Sequence, residues 1–270
     1  MNSKAAFSKK DVIIIVLCGI FVVATLGSVG SSGRRRAKEA VCLWNLRRMG
    51  SAFLMFAGDN DGLFMRGWYG IDTVNTDMWM EALREYYANP DFRSCPEATI
   101  PGSGIGGDVW NFTFIGWGVF EGECGQPSSW WPVMTGCDYG SYGNNAFIHD
   151  PPPEVGEIQG TPTSLNWRTP NVAGAADIPM VGGAQWIEAR PLQSDLAPEY
   201  EGMHWFGIHG PGMKCVCLNR HGGYVNWSFL DASARKVGLK QLWRLKWHRG
   251  FEVDNPMPHW PVWMRDFQDY

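Results

Sequence analysis

The hydrophobic and polar positions change character twice within the first sixty residues. Between Asp11 and Arg34 lie 22 residues without a charge, and the stretch DVIIIVLCGIFVVATLGSVG is dominated by Val, Ile, Leu and Phe. At about 1.5 Å per residue, such a run predicts a helix long enough to cross a bilayer core. It exceeds the roughly 7–15 apolar residues of a secretory signal peptide, the alternative that the small residues Ser28-Val29-Gly30 leave open. The pattern then becomes one-sided. Cys42, Leu46, Met49, Phe53 and Phe56 recur at steps of four and three, the stripe of an amphipathic helix, with Arg47, Arg48 and Ser51 off it. Asp59-Asn60-Asp61-Gly62 is turn chemistry and stops the helix near Gly58. A bend or locally melted stretch is expected at Gly27, Gly30 and Gly33, each of which weakens a helix by about 1 kcal/mol relative to Ala.

Downstream, Trp79, Leu83, Tyr86 and Tyr87 predict a short helix over 77–88, ended by Asn89-Pro90. Residues 101–185 are irregular and rich in Gly, Pro and Trp, and the middle of the chain, 101–214, matches no recognisable pattern. Order returns at Tyr224–Leu230. There Val225, Trp227 and Phe229 alternate with Asn226 and Ser228, which predicts a half-buried strand. Asp231-Ala232-Ser233-Ala234 reads as a turn and Arg235-Lys236-Val237 as the return strand. Leu239, Leu242, Trp243 and Trp247 then share one face of a short helix. The expected fold class is α+β, a long amino-terminal transmembrane and amphipathic helix packed on an antiparallel sheet. Its expected divisions are a possible leader (1–6), a transmembrane helix (7–33), an amphipathic helix (34–58) and a globular domain (59–270).

Composition narrows the function classes. The chain is 45% hydrophobic and 14% aromatic, too apolar for disorder, and its net charge of −4 argues against a nucleic-acid partner. Cys18 lies in the apolar run. The other six, Cys42, Cys95, Cys124, Cys137, Cys215 and Cys217, form an even set of disulfide candidates with fifteen possible pairings. They favour an oxidising compartment: a single-pass inner-membrane protein with its amino terminus cytoplasmic and its domain extracytoplasmic. The flanking charges (Lys4, Lys9, Lys10 before; Arg34, Arg35, Arg36, Lys38 after) are nearly balanced.

Candidate chemistry is sparse. Cys215-Val-Cys217 with His221 has zinc-like spacing but no fourth ligand, and the disulfide reading ranks ahead of it. His204 and His209, five apart, do not fit the helical zinc spacing. His221 and Asp231 have no accompanying nucleophile and read as a brace at the ends of a hairpin. The Gly-rich stretch from Gly102 to Gly107 lacks the strand–helix frame of a phosphate loop. Asp59 and Asp61 are calcium candidates that need further oxygen ligands, from Asp72 or Asp77. No cofactor is otherwise indicated, and no constellation marks an enzyme. The fifteen Trp fit core packing and subunit interfaces better than a carbohydrate platform.

A greasy amino-terminal helix whose amphipathic half carries a compact domain resembles type IV pilins and type II secretion pseudopilins. Ala6-Phe7 resembles the prepilin cleavage point, and Asp11 the acidic residue four positions later. The run from Arg34 to Gly62 resembles the planctomycete-type pseudopilins. It carries their Cys-Leu-x-Asn-Leu at Cys42, Leu43, Asn45 and Leu46, and their Asp-Asn-Asp-Gly-like turn at Asp59–Gly62. Cys95-Pro96 matches the family's Cys-Pro, and His221 with Asp231 its carboxy-terminal His-X9-Asp signature, here followed by Ala232. The resemblance implies a structural filament subunit processed by a prepilin peptidase, with a methylated amine at Phe7. Asp11 would face a neighbour's Phe7 amine, and the partners would be further copies, the inner-membrane assembly machinery and membrane lipid. The alternative is a non-polymerising anchored surface domain that binds glycan or protein through a Trp-rich face.

Overall fold

The computed structural model describes residues 8–68, 78–87, 89–101, 111–118, 138–204, 212–254 and 259–269. Helix α1 runs from Lys9 to Asp59. Its start is fixed by a reciprocal pair: Ser8 N donates to Asp11 Oδ2 at 2.8 Å, and Asp11 N donates to Ser8 Oγ at 3.3 Å. This is a capping box, which satisfies donors that a helix start leaves orphaned. The Ser8 bonds also hold the Asp11 carboxyl below its ordinary pKa. The helix ends where the turn residues predicted. Asp61 and Gly62 take φ of 55° and 76°, and Gly62 N bonds the Ala57 carbonyl at 2.8 Å, a left-handed C-cap. The melted stretch expected at Gly27, Gly30 and Gly33 is not present: all three are helical.

The transmembrane expectation is corrected. Among the described residues, no helix is long and apolar enough to cross a membrane. Lys9, Lys10 and Asp11 lie directly before the apolar run. The transmembrane assignment of 7–33 and the single-pass inner-membrane location fall with it.

The chain forms two compact units, 1–40 and 41–270. In the first, Val12–Leu17 and Ile20 are 50–61% exposed. In the second, the predicted stripe is buried: Cys42, Leu46, Met49 and Phe53 lie in the core together with Ala52 and Ala57. Phe56, the last residue of that stripe, is only partly buried.

The strands are β1 (Ile100–Pro101), β2 (Ile115–Gly118), β3 (Tyr139–Gly140), β4 (Tyr142–Asn145), β5 (Glu157–Ile158), β6 (Thr161–Pro162), β7 (Pro179–Gly183), β8 (Glu188–Ala189), β9 (Tyr224–Phe229) and β10 (Ala234–Gly238). The main sheet has the order β10-β9-β7-β4-β8. It is mixed, not antiparallel as expected, because β4 and β8 run parallel while its other neighbours are antiparallel. The predicted hairpin is β9–β10, with Ser228 opposite Ala234 and Tyr224 opposite Gly238. The helix predicted over 77–88 is one turn, α2 (Trp79–Ala82), followed by a 3-10 turn at Arg84–Tyr86. The carboxy-terminal helix is a 3-10 segment at Lys240–Arg244.

The sheet separates two cores. Val225, Trp227 and Phe229 point into one, with Met213, Cys215, Leu242, Trp247 and Phe251; Met213 and Cys215 come from α3 (Gly212–Val216). The helix packs on the other face. A Cβ built on Gly50 would lie 2.4 Å from Ser228 Oγ and 3.3 Å from Met180 Cε. Strand β9 is therefore buried on both faces from Val225 to Phe229, rather than half-buried. The predicted alternation is present, but its small polar side, Asn226 and Ser228, is what the helix covers. Short side chains there let a helix backbone approach that a row of large ones would hold away.

Candidate metal centre

Three segments far apart in sequence meet at one point. Cys42 comes from α1, Cys95 from the segment after the 3-10 turn Pro90–Arg93, and His221 from the turn before β9. Their ligand atoms all lie within 4.8 Å of one another, and Cys95 Sγ is 3.4 Å from His221 Nε2. Both cysteines are buried, at 1% and 2% exposure, and His221 is partly so. This group can hold a metal ion, since soft thiolates with an imidazole are the donor set of zinc-type sites.

Local chemistry places each ligand. Asn45, one turn along from Cys42, donates its side-chain amide to the Ser94 carbonyl at 3.1 Å, which pins the Cys95 segment to the helix. Cys95 N donates to Ser141 Oγ at 2.7 Å. The turn carrying His221 is closed by Gly223 N donating to Asn219 Oδ1 at 2.6 Å, and Gly222 and Gly223 both take positive φ. Beside it, the Arg220 guanidinium is 4% exposed and donates to four carbonyls: Thr113 at 2.7 Å, Ser141 at 2.5 Å, Ile115 at 3.3 Å and Ala184 at 3.1 Å.

The two sulfurs differ. The Cys95 thiol is drawn well below its ordinary pKa, first by its hydrogen bond with Cys42, then by His221 and the Arg220 charge. Cys42 is pushed well up by burial and by the neighbouring Cys95. Tyr142 Oη donates to Cys42 Sγ at 3.1 Å. Asn226, 1% exposed, faces the Cys42 thiol, and its amide has no other partner.

The other candidates separate. Cys42, Cys95, Cys215 and Cys217 carry free thiols, so four of the six disulfide candidates are unbridged; Cys124 and Cys137 lie outside the described residues. Cys215 and Cys217 do not join His221. They sit in the core beyond the sheet, where burial pushes Cys215 up to about 12 and Cys217 higher still. Asp231 does not brace His221. It accepts from Ser233 N at 2.9 Å at the β9–β10 tip, the opposite end of β9 from His221. Asp59 accepts from Tyr86 Oη at 3.0 Å, and Asp61 caps the helix. Among the described residues the Cys42–Cys95–His221 group is the one three-donor cluster, and neither calcium candidate belongs to it. Ala6, Phe7, Asp72, Asp77, Gly102–Gly107 and His209 lie outside the described residues. His204 stacks on Phe112 at 4.1 Å. Of the described Trp, seven are buried (Trp68, Trp79, Trp117, Trp167, Trp227, Trp243 and Trp247), which makes them core rather than a binding platform.

Sequence reasoning missed Tyr142, Asn226 and Arg220, whose types carry no motif. It also missed a second buried polar group around β4 and β8. His149 Nδ1 stands 3.8 Å from Glu188 Oε2, Asn144 contacts His149 Nε2 at 2.5 Å, and Arg190 lies over the Phe147 ring at 4.9 Å. Burial holds His149 at about 3, raises Glu188 to about 7 and lowers Arg190 to about 10.

Comparison with protein-family models, with curated proteins and with solved structures finds no match to this chain.

Proposed function

We propose that this chain is a structural subunit of a type IV pilin-like or pseudopilin-like filament, and that copies assemble through the first part of α1. One observation carries the reading: Val12–Leu17 and Ile20 present large apolar side chains that are 50–61% exposed on their own chain. Removing such side chains from water is worth about 25 cal/mol per Å², and contiguous apolar patches of this kind mark association surfaces. Neighbouring copies offer helices of the same chemistry. In this reading a prepilin peptidase cuts between Ala6 and Phe7, and the Asp11 carboxylate, now on Ser8, turns to a neighbour's Phe7 amine.

The test is amino-terminal sequencing of the native protein together with sedimentation and electron microscopy of the full chain. A start at Phe7, and large assemblies that Ile14→Asp reduces to monomers, are expected. A start at Met1 with a monomeric wild-type chain would sink the proposal and leave a surface-binding domain in its place.

A further inference from the structure

We propose that Cys42, Cys95 and His221 bind a zinc ion that ties helix α1 to the Cys95 segment and to the β9 hairpin. The proposal does not depend on the filament reading. Zinc bonds of about 2.3 Å to sulfur and 2.0–2.1 Å to nitrogen, in a tetrahedron, hold ligand atoms roughly 3.6–3.8 Å apart. The Cys95–His221 separation of 3.4 Å and the common limit of 4.8 Å match that spacing. The three donors are brought together by unrelated segments, each with its own anchor: Asn45 on Ser94, Ser141 on Cys95, Asn219 on Gly223.

The surroundings point to a ligand independently. The Asn226 amide, nine-tenths and more buried, is directed at the Cys42 sulfur and has no other partner. Unpaired buried amides cost roughly 1–3 kcal/mol and call for an explanation. A Cys42 thiolate would accept from it, as it already accepts from Tyr142 Oη at 3.1 Å. Such outer-shell donors orient and tune metal-bound thiolates.

The balance of the step is simple. Binding forms two zinc–sulfur bonds and one zinc–nitrogen bond to the His221 imidazole. Any proton carried by either sulfur leaves to solvent, and no electron moves. The chain supplies three ligands, and the fourth position falls to a water or an added anion.

The test uses the full-length protein, metal-stripped and reduced, titrated with Co²⁺ and then Zn²⁺. One equivalent of Co²⁺ should give a thiolate-to-cobalt charge-transfer band that one equivalent of Zn²⁺ abolishes. His221→Gln leaves both sulfurs and a half-buried site intact. It should weaken binding by more than the roughly 10–100-fold that losing an outer-shell partner costs. Tyr142→Phe should fall within that range. A Cys42→Ser/Cys95→Ser variant that still folds by circular dichroism should give no charge-transfer band. Three results overturn the proposal. The first is absence of the band at stoichiometric cobalt. The second is equal affinity in wild type and His221→Gln. The third is native protein lighter by two hydrogens, with a Cys42–Cys95 disulfide in its digest, which would assign the pair to a bridge instead.

Discussion

Replacing Gly182 by Ala tests how the sheet is built. Gly182 on β7 is paired with Trp227 on β9. A Cβ on Gly182 would lie 2.2 Å from Trp227 Cδ2 and 2.6 Å from two further ring atoms. Carbon atoms rest about 3.5–4.0 Å apart, so the ring would have to retreat by more than about 1 Å. It has nowhere to go. Trp227 is 0% exposed and meets Trp247 edge-on at 4.9 Å, and Trp247 Nε1 is held by the Leu242 carbonyl at 2.7 Å. Overpacking of this kind costs about 1–3 kcal/mol, and a rigid ring on both sides puts it at the upper end. The unfolded-state gain of Gly→Ala, about 0.4–1 kcal/mol, offsets little. The expected net loss is about 2 kcal/mol or more, at least roughly 4–8 °C in Tm for a unit of this size. Urea and thermal unfolding, followed by far-ultraviolet circular dichroism and Trp fluorescence, measure it. Gly58→Ala is the control: it lies in α1 with nothing within 4 Å of a new Cβ, and it should be neutral or stabilising. Gly182→Ala/Trp227→Leu should recover part of the loss. A Gly182→Ala protein as stable as wild type would refute the close pairing of β7 and β9.

Other outcomes follow from the buried groups. His149 and His248 are held neutral by burial, at about 3 and about 4, so the unfolded chain takes up protons below about 6.5 that the fold refuses, and stability should fall as pH drops from there. Glu188, raised to about 7, acts in the opposite sense. It remains protonated in the fold while the unfolded carboxylate ionises above about 4.5, so it removes about 3 kcal/mol as pH rises from there to 7. Glu188→Gln should therefore steepen the acid loss seen in urea titrations at stepped pH, and superimposable pH profiles would contradict the assignment. Arg220→Met takes the guanidinium away from four buried carbonyls, of which Ser141 O still accepts from Ala184 N, and should cost about 3 kcal/mol or more in urea unfolding, at about 1–3 kcal/mol for each acceptor left unsatisfied, with Arg220→Lys recovering only part. On α1, Leu46→Ala at 0% exposure should cost about 2–5 kcal/mol, whereas Val41→Ala at 46% should stay within about 0.5 kcal/mol.

The period of the α1 stripe and the turn at Asp59–Gly62 were legible because both are local: spacing sets a helix face, and turn residues set its end. The β9–β10 hairpin was legible for the same reason. The side of β9 that takes the helix was not, because polarity alone pointed Asn226 and Ser228 to solvent, whereas they lie beneath a helix brought close at Gly50. The metal centre was half legible. Cys42, Cys95 and His221 each stood in a motif, but neighbourhood in sequence joined His221 to Cys215 and Cys217, which the sheet keeps on its far side. Glu188 and His149 were invisible, since their pairing depends on the parallel register of β4 and β8.

The burial of Gly50 against Ser228 has a consequence for the order of synthesis. The apolar stripe of α1 leaves the ribosome roughly 180 residues before β9, and at about 5–20 residues per second it waits on the order of 10–35 s for its cover. Through that interval the nascent chain shows its sticky helix to whatever is nearby. Only when the carboxy-terminal hairpin emerges can the domain close, and a ribosome stalled before Tyr224 would release a product with an uncovered helix, marked for capture by chaperones or proteases.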